Sequence, residues 1–164
     1  MEQSEEGAEI LLAFDGSPQS SEAIGCAAHL LGTDRRMIVF SVWEPRLMDI
    51  DLLQTEHTKI TETKGLGHIR SSDIQAARQL TQAVADHGTR LAREEGFDAR
   101  GEIACGGHSV AAEIIQALGD YEAEVLVIGS KRHSGMASAL LGSTVQTLLH
   151  KAVTPILVAR NPVG

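Results

Sequence analysis

An uninterrupted apolar run, Val125 to Ile128, is followed by a glycine, a loop with two cations, a Gly-Ser-Thr triplet and a second apolar run opening on Pro155. Few folds accept this order. A β-branched run without polar alternation is a strand buried on both faces, and such strands belong to parallel sheets covered by helices. Gly129 begins the loop, Lys131 and Arg132 are its cations, and Gly142, Ser143 and Thr144 close it. Ser143, with Gln146 three residues on, has the form of a capping box. The spacing predicts a helix from there to about Ala152, its free backbone N–H groups facing back into the loop. Free N–H groups at the positive end of a helix dipole bind anions. Pro155 to Ala159 is predicted as the last strand, with Pro where no ladder N–H is needed.

This stretch resembles the universal stress protein family, which carries G-x2-G-x9-G-[ST] after its fourth strand, then a helix and a strand of the form PVLVV. Gly129, the spacer from His133 to Leu141, and Gly142-Ser143 match that pattern, and PILVA follows at the expected distance. Arg132 departs from it, standing where the second glycine is expected. The resemblance covers nearly the whole chain.

The length of 164 residues suits one sheet with helices on both faces, expected over residues 8–162 behind a flexible, charged leader at 1–7. A formal charge of -8 argues against nucleic acid or an anionic membrane as partner. The acidic opening MEQSEEGAE is unlike a signal peptide, and no apolar stretch is long enough to span a bilayer, so a cytoplasmic location is expected. Cys26 and Cys105 form no C-x-x-C motif and are expected to be reduced.

Taken in order, Ile10 to Phe14 is predicted as the first strand, ended by Asp15-Gly16. Ser17 as N-cap and Pro18 at the first helical position open a helix to Leu31, stopped by Gly32. Met37 to Val42 is the second strand. Residues 44–71 lose any sustained period and form a long variable segment. Ser72 with Gln75 is a second capping box, opening a helix that Gly96 stops. Asp98 to Cys105 is a strand weak in composition, expected because the architecture needs one there. Ser109 caps a helix over Val110 to Leu118. Alternating strands and helices imply an α/β doubly wound parallel sheet of five strands. The resemblance implies the strand order 3-2-1-4-5, of the adenine nucleotide alpha hydrolase-like kind. Ligands of such sheets sit where the winding reverses, at the carboxyl ends of the strands. Asp15 and Gly129 emerge there.

Asp15 can accept hydrogen bonds from a ribose or a base, and it can equally form the turn that Asp-Gly favours. Gly142, Ser143 and Thr144 are the expected phosphate contacts, through backbone N–H groups and hydroxyls. Arg132 could bind phosphate through two bonds, or fill space that glycine leaves open. The resemblance further implies nucleotide contacts at Ala13, Asp15, Val42, Gly129 and Lys131, the backbone of Val42 meeting adenine. It implies ATP or AMP as ligand, with magnesium, and a homodimer paired through 155–160. No metal site is expected from the scattered histidines. No G-x-S-x-G elbow, phosphorelay acidic pair or G-x-G-x-x-G fingerprint is present. Three functions follow: a nucleotide-binding sensor or regulator that is not an enzyme, a homodimeric adaptor without nucleotide, and, least supported, a slow ATP hydrolase.

Overall fold

The structure, a computed structural model, describes residues 9–43, 71–107, 109–130 and 142–160. The elements are β1 (Glu9–Ala13), α1 (Pro18–Leu31), β2 (Arg36–Trp43), α2 (Ser71–Glu94), β3 (Asp98–Cys105), α3 (Val110–Asp120), β4 (Val125–Gly129), α4 (Ser143–Lys151) and β5 (Ile156–Ala159). All neighbouring strands are parallel, in the order β3-β2-β1-β4-β5. The doubly wound sheet expected from the sequence is therefore present.

Alternate strand residues point to opposite faces, which divides the apolar runs between two cores. Ile10, Leu12, Phe14, Met37, Val39 and Val127 meet Ala23, Ile24 and Ala27 of α1 and Ala92 of α2. Leu11, Ile38, Phe40, Leu126 and Ile128 meet Ile114, Ala117 and Leu118 of α3 and Val145 and Leu148 of α4. The winding reverses between β1 and β4, since α1 and α2 cover one face while α3 and α4 cover the other. A crevice must open at the carboxyl ends of those two strands.

Local signals explain most element starts. Ser17 Oγ accepts the Ser20 N–H at 3.3 Å and caps α1, with Pro18 as its first residue. Ser109 Oγ accepts the Ala112 N–H at 3.1 Å and caps α3. Ser72 is a correction: α2 already includes Ser71, so Ser72 is not the N-cap, and its hydroxyl instead meets the Asp73 carboxylate at 3.4 Å. The leader at 1–7 and the segment 44–70 lie outside the described residues.

An ion-pair cluster ties the starts of β1 and β2 to β3. Glu9, nearly buried, pairs with Arg36 at 3.4 Å and Arg100 at 3.3 Å, joining β1, β2 and β3. The Arg100 guanidinium lies 5.7 Å from the Tyr121 ring centre. Burial raises the Tyr121 phenol pKa above its usual value, the Glu102 charge adds to the rise, and Arg100 works against it.

Candidate functional site

The carboxyl ends of β1 and β4 border a cavity of about 390 Å³. Its floor is Ala13 at the end of β1 with Phe14 and Asp15 beyond it, Phe40 and Val42 of β2, and Ile128 and Gly129 of β4. Ser17, Gln19 and Ser20 of the α1 start form one wall. Val110 and Ile114 of α3, with Gly142, Thr144 and Val145 at the α4 start, form the other. Three helix N-termini thus converge on one space, because in a parallel sheet each helix begins where its strand ends.

Their caps differ. The cap side chains of α1 and α3 each occupy a backbone N–H, whereas Gly142 caps α4 with no side-chain hydrogen bond. Among the described residues, the positive end of α4 is therefore the one whose cap residue leaves the N–H groups to an anion. This corrects the expectation for Ser143. The Gly142 carbonyl accepts the Gln146 N–H at 3.0 Å, so Gly142 is the N-cap and Ser143 the first helical residue. Ser143 is exposed and is absent from the cavity lining, while Thr144 contributes to it.

Gly129 and Gly142 differ in what they require. A Cβ at Gly129 would fall against the Gln19 carbonyl, with its carbon at 2.5 Å and the Ser20 nitrogen at 2.9 Å. Glycine is needed there so that the end of β4 can touch the first turn of α1. Gly142 has φ -56° and ψ 154°, open to any residue, and no described atom lies within 4 Å of an added Cβ. Gly142 is therefore not held there by a left-handed backbone. Among the described residues, nothing requires glycine there.

Asp15 lines the cavity and also makes the turn that its sequence suggests, its Oδ1 accepting the Ser17 N–H at 2.9 Å. Gly16, at φ 77°, lets the chain turn sharply into α1. Turn formation leaves a carboxylate with capacity for further donors.

Val42 gains a physical basis from strand geometry. In a parallel ladder, alternate residues direct both N–H and C=O to the same neighbour. The Phe14 N–H donates to the Phe40 carbonyl at 2.9 Å, so Phe40 faces β1. The Gly106 N–H donates to the Trp43 carbonyl at 2.7 Å, so Trp43 faces β3. Val42 therefore faces the β1 side, past the last rung, where β1 has already turned away. Among the described residues, its backbone donor and acceptor make no bond to the chain that follows β1, and Val42 lines the cavity.

Of the sequence-derived residues, Ala13, Asp15, Val42, Gly129, Gly142 and Thr144 come together here. Lys131 and Arg132 lie outside the described residues. Sequence reasoning missed the contributions of Phe40, Val110, Ile114 and Val145, which look like ordinary core positions. Only the turn signals before Val110, Gly106-Gly107 and Ser109, hinted that this helix starts at the same edge.

Among the described residues, no group of three or more His, Cys, Asp or Glu could hold a metal ion. Asp15 is the one carboxylate in the described lining. A magnesium ion would thus depend on phosphate oxygens and water for most of its ligands. No described helix is long and apolar enough to cross a membrane.

Residues 8–160 match the profile of the universal stress protein family. Universal stress protein Rv1636 of Mycobacterium tuberculosis is 25% identical over 165 residues, covering 93% of this chain and 95% of its own. Among solved structures, UspA of Lactobacillus plantarum superposes with a TM-score of 0.66 at 15% identity, over 93% of this chain and 97% of its own. A universal stress protein of Archaeoglobus fulgidus, solved in complex with dAMP, gives 0.56 at 17% identity, over 92% and 96%.

Proposed function

The chain belongs to the universal stress protein family, and from that premise we propose that it binds an adenine nucleotide, ATP or AMP, in the β1/β4 cavity. It acts as a sensor or regulator in the cytoplasm, and its output is occupancy rather than turnover. The observation that carries this reading is the pairing, across one crevice, of two backbone sites for which no partner is found among the described residues outside their own elements. Val42 offers a donor and an acceptor side by side, suited to the edge of adenine. The α4 N-terminus, capped by a glycine, offers N–H groups to a phosphate. Asp15 stands between strand ends as an acceptor for ribose hydroxyls. The apolar walls from Phe40, Ile114, Ile128 and Val145 suit a planar base. The related protein of Archaeoglobus fulgidus in complex with dAMP supports the ligand class. Mass spectrometry of the supernatant after acid denaturation of freshly purified protein tests the reading, and calorimetric titration with ATP and adenosine supplies affinities. No bound nucleotide and no heat with either ligand would reject it.

Arg132 favours a second reading, a homodimeric adaptor that takes no nucleotide. The two readings part on Arg132→Ala. If the guanidinium reaches the phosphates, this change weakens ATP by about 1 to 3 kcal/mol and adenosine far less. If the side chain instead blocks the loop, Arg132→Gly tightens ATP binding.

Both readings include a homodimer formed through β5. The strand is an edge, and Ile156, Leu157 and Val158 are only half-buried. The Leu126 N–H donates to Pro155 and the Ser130 N–H to Ala159, so odd-numbered β5 residues face β4. Ile156 and Val158 therefore direct their N–H and C=O groups outward, available to a second copy. Val158→Pro removes one outward N–H without removing a bond to β4. Sedimentation is expected to show wild-type dimer and a folded Val158→Pro monomer at micromolar concentration. A wild-type monomer would reject the interface. Leu157→Lys is a poorer probe, because Leu157 also packs against the α1 core.

A further inference from the structure

We propose that Ser41 is a positioning residue that holds the Val42 N–H open to the cavity by taking its place in the ladder. The inference rests on the nucleotide reading for its ligand, but not for its geometry. Were β1 and β2 to continue as a regular parallel pair, the next rung after Phe14–Phe40 would run from the Val42 N–H to the Phe14 carbonyl. That rung is absent among the described residues. The Ser41 hydroxyl donates to the Phe14 carbonyl at 2.7 Å instead.

A buried carbonyl must be paired, and leaving it unpaired is costly. With Ser41 only 2% exposed, water is a poor substitute at this point. The hydroxyl therefore satisfies the last carbonyl of β1 while β1 departs toward Asp15. The same bond removes the nearest competitor for the Val42 N–H. Without it, the Phe14 carbonyl and the Val42 N–H become each other's best available partners, and the adenine edge must displace an internal bond in order to bind.

Amide hydrogen exchange, read by nuclear magnetic resonance on the labelled full chain, tests this without any ligand. In the wild type, the Val42 amide is expected to exchange at least about tenfold faster than that of Phe40, whose N–H is held within the ladder. In Ser41→Ala, Val42 exchange should slow by about threefold to tenfold, the range for one ordinary hydrogen bond. Ser41→Thr keeps the hydroxyl and should retain fast exchange. A purely structural loss would have the opposite sign, since a destabilised sheet exchanges faster throughout.

Titration then connects the geometry to binding. Ser41→Ala should weaken adenosine and ATP by the same factor of about threefold to tenfold, because the affected contact is to the base. Val42 protection equal to that of Phe40 in the ligand-free wild type would overturn the proposal, as would unchanged Val42 exchange in Ser41→Ala. If exchange follows Ser41 as expected but wild type binds neither compound, the Ser41 inference stands and the nucleotide reading falls.

Discussion

Gly129→Ala is expected to lower stability by about 3 kcal/mol, at the upper end of the usual cost of overpacking. The reason is the nature of the opposing atoms. The added methyl would meet the backbone of Gln19 and Ser20, not the tip of a flexible side chain, and those atoms belong to the first turn of α1. Relief requires that α1 or the end of β4 move. Neither moves freely: α1 buries Ala23, Ile24 and Ala27 against the sheet, and β4 is held on both sides by β1 and β5. For a domain of this size the loss corresponds to roughly 10 °C in melting temperature. Urea denaturation should show a lower midpoint with an unchanged slope. A melting temperature within about 2 °C of wild type would mean that α1 yields easily, and that the glycine serves something other than this contact.

The sheet was legible because its central strands carry the simplest signal in the chain. Ile10 to Leu12, Met37 to Phe40 and Leu126 to Ile128 are buried on both faces, and every side chain in these runs is apolar. The edge strand β3 was harder to read, and its composition explains why. Arg100 and Glu102 enter ion pairs at the rim of the sheet, so Asp98–Cys105 shows no clean apolar pattern. Position in the architecture, rather than propensity, identified it.

Helix starts were read well where the capping hydroxyl had no rival, as at Ser17 and Ser109. At α4 the capping-box spacing was present but displaced by one residue, since Gly142 can close the first turn through its carbonyl alone. The site was legible only where it is contiguous in sequence. Gly129, Gly142 and Thr144 lie in one motif, whereas Phe40 and Ile114 reach the cavity through topology. Ser41 could not have been found from sequence, because its role depends on where β1 leaves β2.

Gly142→Val is expected to abolish measurable ATP binding while leaving the fold nearly intact. The two motif glycines are thereby predicted to fail in opposite ways, one in stability and the other in affinity. No described atom lies within 4 Å of a Cβ at Gly142, and its φ of -56° suits any residue, so the described part of the fold does not demand glycine. The one expected structural cost is that of a poor N-cap, about 1 kcal/mol. A phosphate at the α4 N-terminus makes a different demand, because it must approach the backbone closely, and a branched side chain at the cap stands in that path. Gly142→Ser sharpens the test. Serine is a good N-cap and should raise stability by a few tenths of a kcal/mol, yet its hydroxyl would compete with phosphate for the same N–H groups. Stability and ATP affinity should therefore move in opposite directions in this variant, while adenosine affinity changes little. Calorimetric titration and thermal melting of both variants provide the comparison. ATP affinity equal to wild type in Gly142→Val would show that the phosphates do not lie at the start of α4.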